Sequence, residues 1–414
     1  MKILWCVVLS VLLCGGVGRG QPTALTLEDA IRLALQHNPE LRAAEARVEA
    51  AAGRARQARQ WANPELELSA EDWPVSNGRG FSDAKQTIGL AQTLPFPGKK
   101  ALEGEAGRAG VKLSEHERAL RRTALVREVK TGFVRVLAAE RLVAVATQLV
   151  NVAAASATAA RKRVEAGATA FHEQLRAEVQ HEQARSELTG YERELAGARQ
   201  SFATVLGRPE LQAVTLQGAL AEAPDAQLLT EAGAARLAHH PSVSAAQAQL
   251  ERANFEERRA RLEPYPDVKV GVSGGRIGET DQSIVQVGVS LPLPLLDRGR
   301  GKQQEARALV SAAEAELRAA QQQVQREWAA AGQRYHAAAA QVANYRERIL
   351  PKAAEALRLI QAGFDHGKFT FLDLVDTQRT TAEAQLAYQH KLLELNTTQA
   401  ELEALLQPQL SINQ

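Results

Sequence analysis

Leu94-Pro95-Phe96-Pro97-Gly98-Lys99 closes one alternating segment of this chain, and Leu291-Pro292-Leu293-Pro294 closes another. Ahead of the first, Ile88, Leu90 and Leu94 alternate with Thr87, Gly89, Ala91 and Thr93. Ahead of the second, Val285, Val287, Val289 and Leu291 alternate with Gln286, Gly288 and Ser290. A period of two marks strands with one apolar face. Proline has no N–H to give to a ladder, so Pro95, Pro97, Pro292 and Pro294 end these strands, and Gly98 follows at the turn. Long helices come after the prolines. The motif is therefore a strand-to-helix transition, and it occurs twice. Each strand has an upstream partner: Pro64 to Trp73, with Leu66, Leu68 and Ala70 on one side, and the segment with Val268, Val270 and Val272.

Other landmarks are also doubled. Asn38-Pro39 is answered by His240-Pro241, 202 residues on. Gly167 with Glu173 is answered by Gly367 with Asp373 at an offset of 200. A self-similarity this long is a tandem duplication of one structural unit. The expected organisation is a signal peptide over 1–20, a first repeat over 21–207, a connector over 208–227, a second repeat over 228–407 and a tail over 408–414. Each repeat reads helix, strand pair, then very long helices. Thr26, with Asp29 three residues on, starts the first helix as a capping box does. No proline falls between Lys99 and Glu165. There Val126, Val129, Phe133, Val136, Glu140, Val143, Thr147 and Val150 step by threes and fours. Val324, Trp328, Ala331, Tyr335, Ala338, Val342, Tyr345 and Ile349 do the same in the second half. Such stripes predict coiled-coil seams.

Lys2, the apolar run Ile3 to Leu13 and the small residues up to Gly20 have the form of a secretory signal peptide. Lipidation at Cys14 is the rival reading, opposed by the bulky Leu13 before it. Both cysteines, Cys6 and Cys14, fall in this segment, so the mature chain offers neither disulfide nor thiolate chemistry. Without Lys2 and Arg19 the 50 basic residues become 48, matching the 48 acidic ones. This balance gives no reason to expect nucleic acid as a partner. Aromatics are only 4%. Alanine-rich helices suit a thin, closely packed wall better than a compact core. No mature run approaches 18 consecutive apolar residues, so no transmembrane helix is expected.

A strand of about ten residues crosses an outer membrane when tilted. One apolar and one small or polar face suits lipid outside and water inside. Four strands cannot close, and an open edge in lipid strands backbone groups at several kcal/mol each. The chain must pool strands with copies of itself, and three copies give twelve.

Leu27-Glu28-Asp29-Ala30 with Leu33-Ala34-Leu35 and Asn38-Pro39 resembles the opening helix of the TolC-type outer-membrane factor family. Leu94-Pro95-Phe96-Pro97-Gly98-Lys99 resembles the strand-to-helix transition of its heavy-metal efflux branch, the CzcC and CusC type. Phe364-Asp365-His366-Gly367, with Leu372-Asp373-Leu374-Val375-Asp376 and Gln378-Arg379, is similar to the family's second periplasmic turn. The resemblance spans about Leu25 to Leu406. It implies a mainly α fold with a small β part: long coiled-coil hairpins in a trimeric α-barrel continued by a trimeric 12-stranded transmembrane β-barrel. It implies a homotrimer in outer-membrane lipid, reaching through the periplasm to a periplasmic adaptor and an inner-membrane RND-type pump. No bond is made or broken, and no cofactor is implied.

By the same resemblance Asp373 and Asp376 line the periplasmic aperture, with Glu173 as the repeat counterpart. Three apart on a helix, the two aspartates share a face, and rings of them in a trimer favour cations. The competing account is that acids suit a helix start. Gly167, Gly367 and Lys368 mark the turns that an adaptor grips. Some members hold the closed tip with a tyrosine three before the glycine and an arginine two after it. Phe364 and Phe369 stand in those places here. The nine histidines show no zinc-ligand spacing, and no nucleophile–base pair is legible. A soluble periplasmic coiled-coil scaffold is the reading from another class. Within the family the PFPGK stretch leans towards metal cations, with organic solutes, drugs or a secreted protein as alternatives.

Overall fold

The computed structural model describes residues 24–72, 81–225, 228 and 235–406. The expected signal peptide with Cys14, most of the loop after the first strand, part of the connector and the C-terminal tail lie outside the described residues. The first half runs α1 (Leu27–His37), α2 (Pro39–Arg59), β1 (Glu65–Glu71), β2 (Lys85–Leu94), α3 (Lys99–Glu165) and α4 (Phe171–Val205). The second runs α5 (Pro241–Arg261), β3 (Val268–Ile277), β4 (Gln282–Ser290), α6 (Arg300–Asn344), a π-helical turn (Tyr345–Ile349), α7 (Leu350–Asp365) and α8 (Phe371–Leu406).

Local chemistry fixes the element ends. Thr26 accepts from the Asp29 amide at 3.2 Å to start α1, and Asn38 accepts from the Glu40 and Leu41 amides to start α2 at Pro39. His240 plays that part ahead of Pro241, its Nδ1 accepting from the Ser242 amide at 3.3 Å. With 67 residues, α3 is roughly 100 Å long.

The helices form one layer. The sheet-proximal part of α3 lies between α2 and α5, and α5 packs in turn on α6. Further from the sheet α3 lies between α4 and α8, and α8 packs on α6 and α7. The main core forms where these stretches meet, around Leu125, Val129, Val136, Leu206, Leu392, Leu395 and Leu402. A strap between the halves is pinned across it. Asn396 accepts from the Ala221 amide at 2.8 Å and donates to its carbonyl at 2.9 Å. Tyr335 Oη accepts from the Asp225 amide at 2.6 Å.

Two helix expectations need correction. The α3 stripe holds through Val136, but Val143 is only half-buried and Thr147 is exposed. Burial passes instead to Ala139, Leu142, Ala146, Ala157 and Ala160. A 3.6-residue helix drifts against a strict heptad, and α3 exchanges α2 and α5 for α4 and α8 along its length. The second-half stripe holds, but the helix opens into a π turn at Tyr345–Ile349. Pro351 cannot donate to Glu347 and its ring crowds that carbonyl, so a wider turn relieves the clash. One window of α3 is long and apolar enough, by length and composition alone, to cross a bilayer, although Thr147, Gln148 and Asn151 interrupt it, so no run of 18 consecutive apolar residues occurs there. Alanines supply much of that window.

Among the described residues four strands form one antiparallel sheet in the order β1-β2-β3-β4. Its register aligns Leu66 with Leu90, Leu90 with Val272 and Val272 with Val287, building one apolar face. These four side chains are 62%, 60%, 53% and 71% exposed, so in a single copy the face has no cover. The opposite face carries Glu65, Glu67, Ser69, Thr87, Gly89, Ala91, Lys269, Gly271 and Ser273. Here Lys269 reaches across β2 to Glu65 at 2.8 Å and Glu67 at 2.7 Å. A Cβ on Gly89 would stand 2.5 Å from that of Ser273, so only glycine admits this close approach.

Candidate functional site: tip turns and strand-to-helix transitions

The chain reverses twice at the far end of the helical layer, and both turns use one device. Gly167 and Gly367 adopt φ of +70° and +71°, a left-handed conformation that glycine takes without a Cβ penalty. The amides of Ala168 and Lys368 return to the carbonyls of Arg163 and Gly363, each at 2.8 Å. This closes the orphan carbonyls of α3 and α7 in Schellman fashion.

Thr370 then starts α8 as a capping box. Its Oγ1 accepts from the Asp373 amide at 3.2 Å, while Asp373 Oδ2 accepts from the Thr370 amide at 2.9 Å and hydroxyl at 2.6 Å. Those two donors, hydroxyl first, hold the Asp373 carboxyl below the usual aspartate range. Asp376 is exposed and pairs with Arg379 at 2.9 Å. Glu173 accepts from Thr169 Oγ1 and lines a cavity of about 540 Å³ with His172, Arg176, Thr370, Phe371 and Val375. The structure thus draws Glu173 and the Thr370 cap to one crevice, with Asp373 and Asp376 following on α8. Lys368 is exposed at the turn.

Phe364 and Phe369, the two places flanking Gly367 that the resemblance singled out, pack within the tip. The Arg163 guanidinium lies 4.7 Å from the Phe364 ring centroid, and Phe364 meets Phe371 at 6.1 Å. Phe369 lies against Gly363. Phe371 and Val375 complete a small core with Ala157, Ala160 and Ala177. Arg163 escaped the sequence reading, because a cation–π contact between different helices has no spacing to betray it.

At the sheet end, Pro95 and Pro97 lead into Gly98, whose φ of +92° opens α3. Phe96 stacks on Tyr265 at 4.7 Å. Asp267 accepts from the Phe96 amide at 2.8 Å and Lys99 Nζ at 2.9 Å. Partial burial works to raise the Asp267 carboxyl, but these donors prevail and hold it below the usual range. Lys99 is itself buried. A charged chain continues from Lys100 through Glu103, Arg259 and Glu263 to Lys302. Pro292 and Pro294 lead by a longer path to Gly299, which opens α6 at φ +66°. Tyr265 and Asp267 were not singled out by sequence. Among the described residues no group of three or more His, Asp or Glu is placed to hold a metal ion.

A family model described as outer membrane efflux protein matches residues 30–208 and 234–406. The chain is 30% identical over 367 residues to the cobalt-zinc-cadmium resistance protein CzcC of Cupriavidus metallidurans, covering 88% of this chain and 85% of that protein. It is 27% identical over 293 residues to the nickel and cobalt resistance protein CnrC of the same organism, covering 67% and 66%. The crystal structure of the outer membrane protein VceC from Vibrio cholerae superposes with a TM-score of 0.76 at 21% identity, covering 92% of this chain and 95% of that one. The mainly helical fold with its small antiparallel sheet is thus shared with this solved outer membrane protein. The chain belongs to the outer membrane efflux protein family.

Proposed function

We propose that three copies of this chain close a twelve-stranded barrel in the outer membrane and a helical tunnel below it, through which metal cations leave. One observation carries this. Among the described residues the sheet ends in unpaired β1 and β4 edges, and the helical layer ends at α2 and α4 on one side and at α6 and α7 on the other. The open flanks coincide at both levels: β1 follows α2, and α6 follows β4. Two unlike flanks on one chain make a head-to-tail contact, which closes into a ring. The apolar face meets lipid, and the face with Glu65, Glu67 and Lys269 meets the bore.

Cation cargo is favoured by the metal-resistance names of the relatives above. The tip carboxylates point the same way: Asp373, Asp376 and Glu173, repeated by three copies, form rings that attract cations and repel anions. Gly167, Gly367 and Lys368 present the turns to a periplasmic adaptor, which links the duct to an inner-membrane RND-type pump. The channel holds no cofactor and makes no bond; energy comes from the pump.

Replacing Asp373 and Asp376 together by Asn tests the aperture. Cation selectivity of the pore reconstituted in planar bilayers should fall. Unchanged selectivity would remove these aspartates from the lumen.

A further inference from the structure

We infer that residues 291–300 of one copy clasp residues 61–65 of the next, so that the seam between copies repeats a contact already made inside each chain. This rests on the ring assembly proposed above and assigns its contact.

The internal template is the first transition. β2 runs down beside β3, so Phe96 and Lys99, just past β2, meet Tyr265 and Asp267, just before β3. In a ring β4 runs down beside β1 of the next copy. The same chain geometry then places the second transition against the segment before that β1. The duplication supplies the matching residues. Pro64 corresponds to Pro266, hence Glu65 to Asp267. Gly98 and Gly299 both open long helices from the left-handed region, hence Lys99 corresponds to Arg300. Charge sign is conserved on both sides: Lys99 with Asp267 inside the chain, Arg300 with Glu65 between chains.

The exposed surfaces fit this use. Lys99 is buried beside Asp267, whereas Arg300 and Glu65 are both exposed. The second transition also carries four residues with no counterpart in the first, Leu295 to Arg298. Leu295 and Leu296 there are 73% and 101% exposed, and Trp61 is 59% exposed. Leucines this bare on irregular backbone find cover on the indole of the next copy, beside the Leu293 and Asn63 positions that correspond to the internal Phe96 and Tyr265. The helices agree: α5 packs on both α3 and α6, while its repeat counterpart α2 packs chiefly on α3 and leaves one side for a neighbour's α6.

Cysteine pairing tests the clasp, because the only cysteines, Cys6 and Cys14, lie in the first 20 residues. Trp61→Cys and Leu295→Cys are introduced together into the full chain, and outer membranes are treated with a short bismaleimide. A species with the mass of three chains should appear on a denaturing gel only when both cysteines are present. An assembly that purifies in detergent as three chains but runs as single chains after treatment would overturn the clasp and leave the ring standing. A chain that stays single in detergent would overturn both. A second measurement uses charge. Arg300→Glu or Glu65→Lys alone should lower the temperature at which the solubilised assembly dissociates, and the pair together should restore most of it. Losses that simply add would break the assigned pairing.

Discussion

The two tip turns share a backbone and differ in their surroundings. Gly167 and Gly367 have nearly the same φ and the same closing hydrogen bonds. Yet Phe171, four residues past the first, is 60% exposed, while Phe371, four past the second, is 7% exposed against Phe364 and Val375. The strand-to-helix transitions divide in the same way, with Lys99 buried and Arg300 exposed. The two halves share a local code for turns and strand ends, though Thr370 caps α8 while Ala170 offers α4 no side-chain cap. Position in the layer then decided which copy is covered within the chain and which is left on a flank.

The largest expected effect separates the two phenylalanines. Phe371→Ala should cost the single chain about 3 kcal/mol through the cavity left in the tip core, whereas Phe171→Ala should change it by no more than about 0.5 kcal/mol. Denaturant titration in detergent that dissociates copies reads the difference. Equal losses would break the comparison. Next, Lys99→Ala should cost roughly 1–2 kcal/mol. It abandons the Asp267 carboxylate, but that group retains solvent, so the loss falls short of a fully buried pair. Arg300→Ala should be nearly silent in the single chain and should lower the dissociation temperature of the assembly.

A smaller effect concerns the helix starts. Asn38→Ala should cost about 1 kcal/mol by removing a cap, measured by thermal unfolding. His240 caps the equivalent helix through an unprotonated Nδ1. Burial lowers its affinity for a proton, against the opposing pull of Glu327. The unfolded chain therefore binds that proton more readily, so stability rises with pH through the window just below the ordinary histidine value of about 6.5 and is lost on acidification. His240→Asn should flatten the pH dependence of unfolding in that window. Asn38→His should introduce one in the first half. The smallest effect is at Asp373, whose cap should persist at neutral pH and weaken only as acid takes it below the ordinary aspartate range. Amide hydrogen exchange over the first turn of α8 reads this.

Local order was legible in the sequence because local physics writes it. Period-two alternation located the four described strands, and Glu65–Glu71 and Lys85–Leu94 differ from the expected spans only at their ends, whereas β3 runs on through Gly274 and Gly275, which read as loop, to Ile277. Prolines and glycines marked the stops, and the expected long helix from Lys99 to Glu165 matches α3 at both ends. What sequence left unread is contact between distant residues. Lys99 and Asp267 stand 168 apart, and neither carries a sign of the other. Arg163 over Phe364 is hidden for the same reason. The drift of the α3 seam and the π turn before Pro351 depend on which neighbour a helix meets along its length, and a heptad count does not contain that. The tip aspartates divide similarly. Their shared helix was readable, while the Thr370 box and the Arg379 pair emerged only in three dimensions.

The uncovered sheet face has a consequence for timing. Val285, Val287 and Val289 stand 78%, 71% and 69% exposed along one edge strand, and each forgoes about 1.5–3 kcal/mol while it faces water instead of hydrocarbon. An isolated newcomer in the periplasm therefore gains little by finishing this ribbon early and risks sticking to others through its bare rim. In the barrel proposed above, the helices have every reason to ripen first, leaving the hairpins to set only once they reach the bilayer.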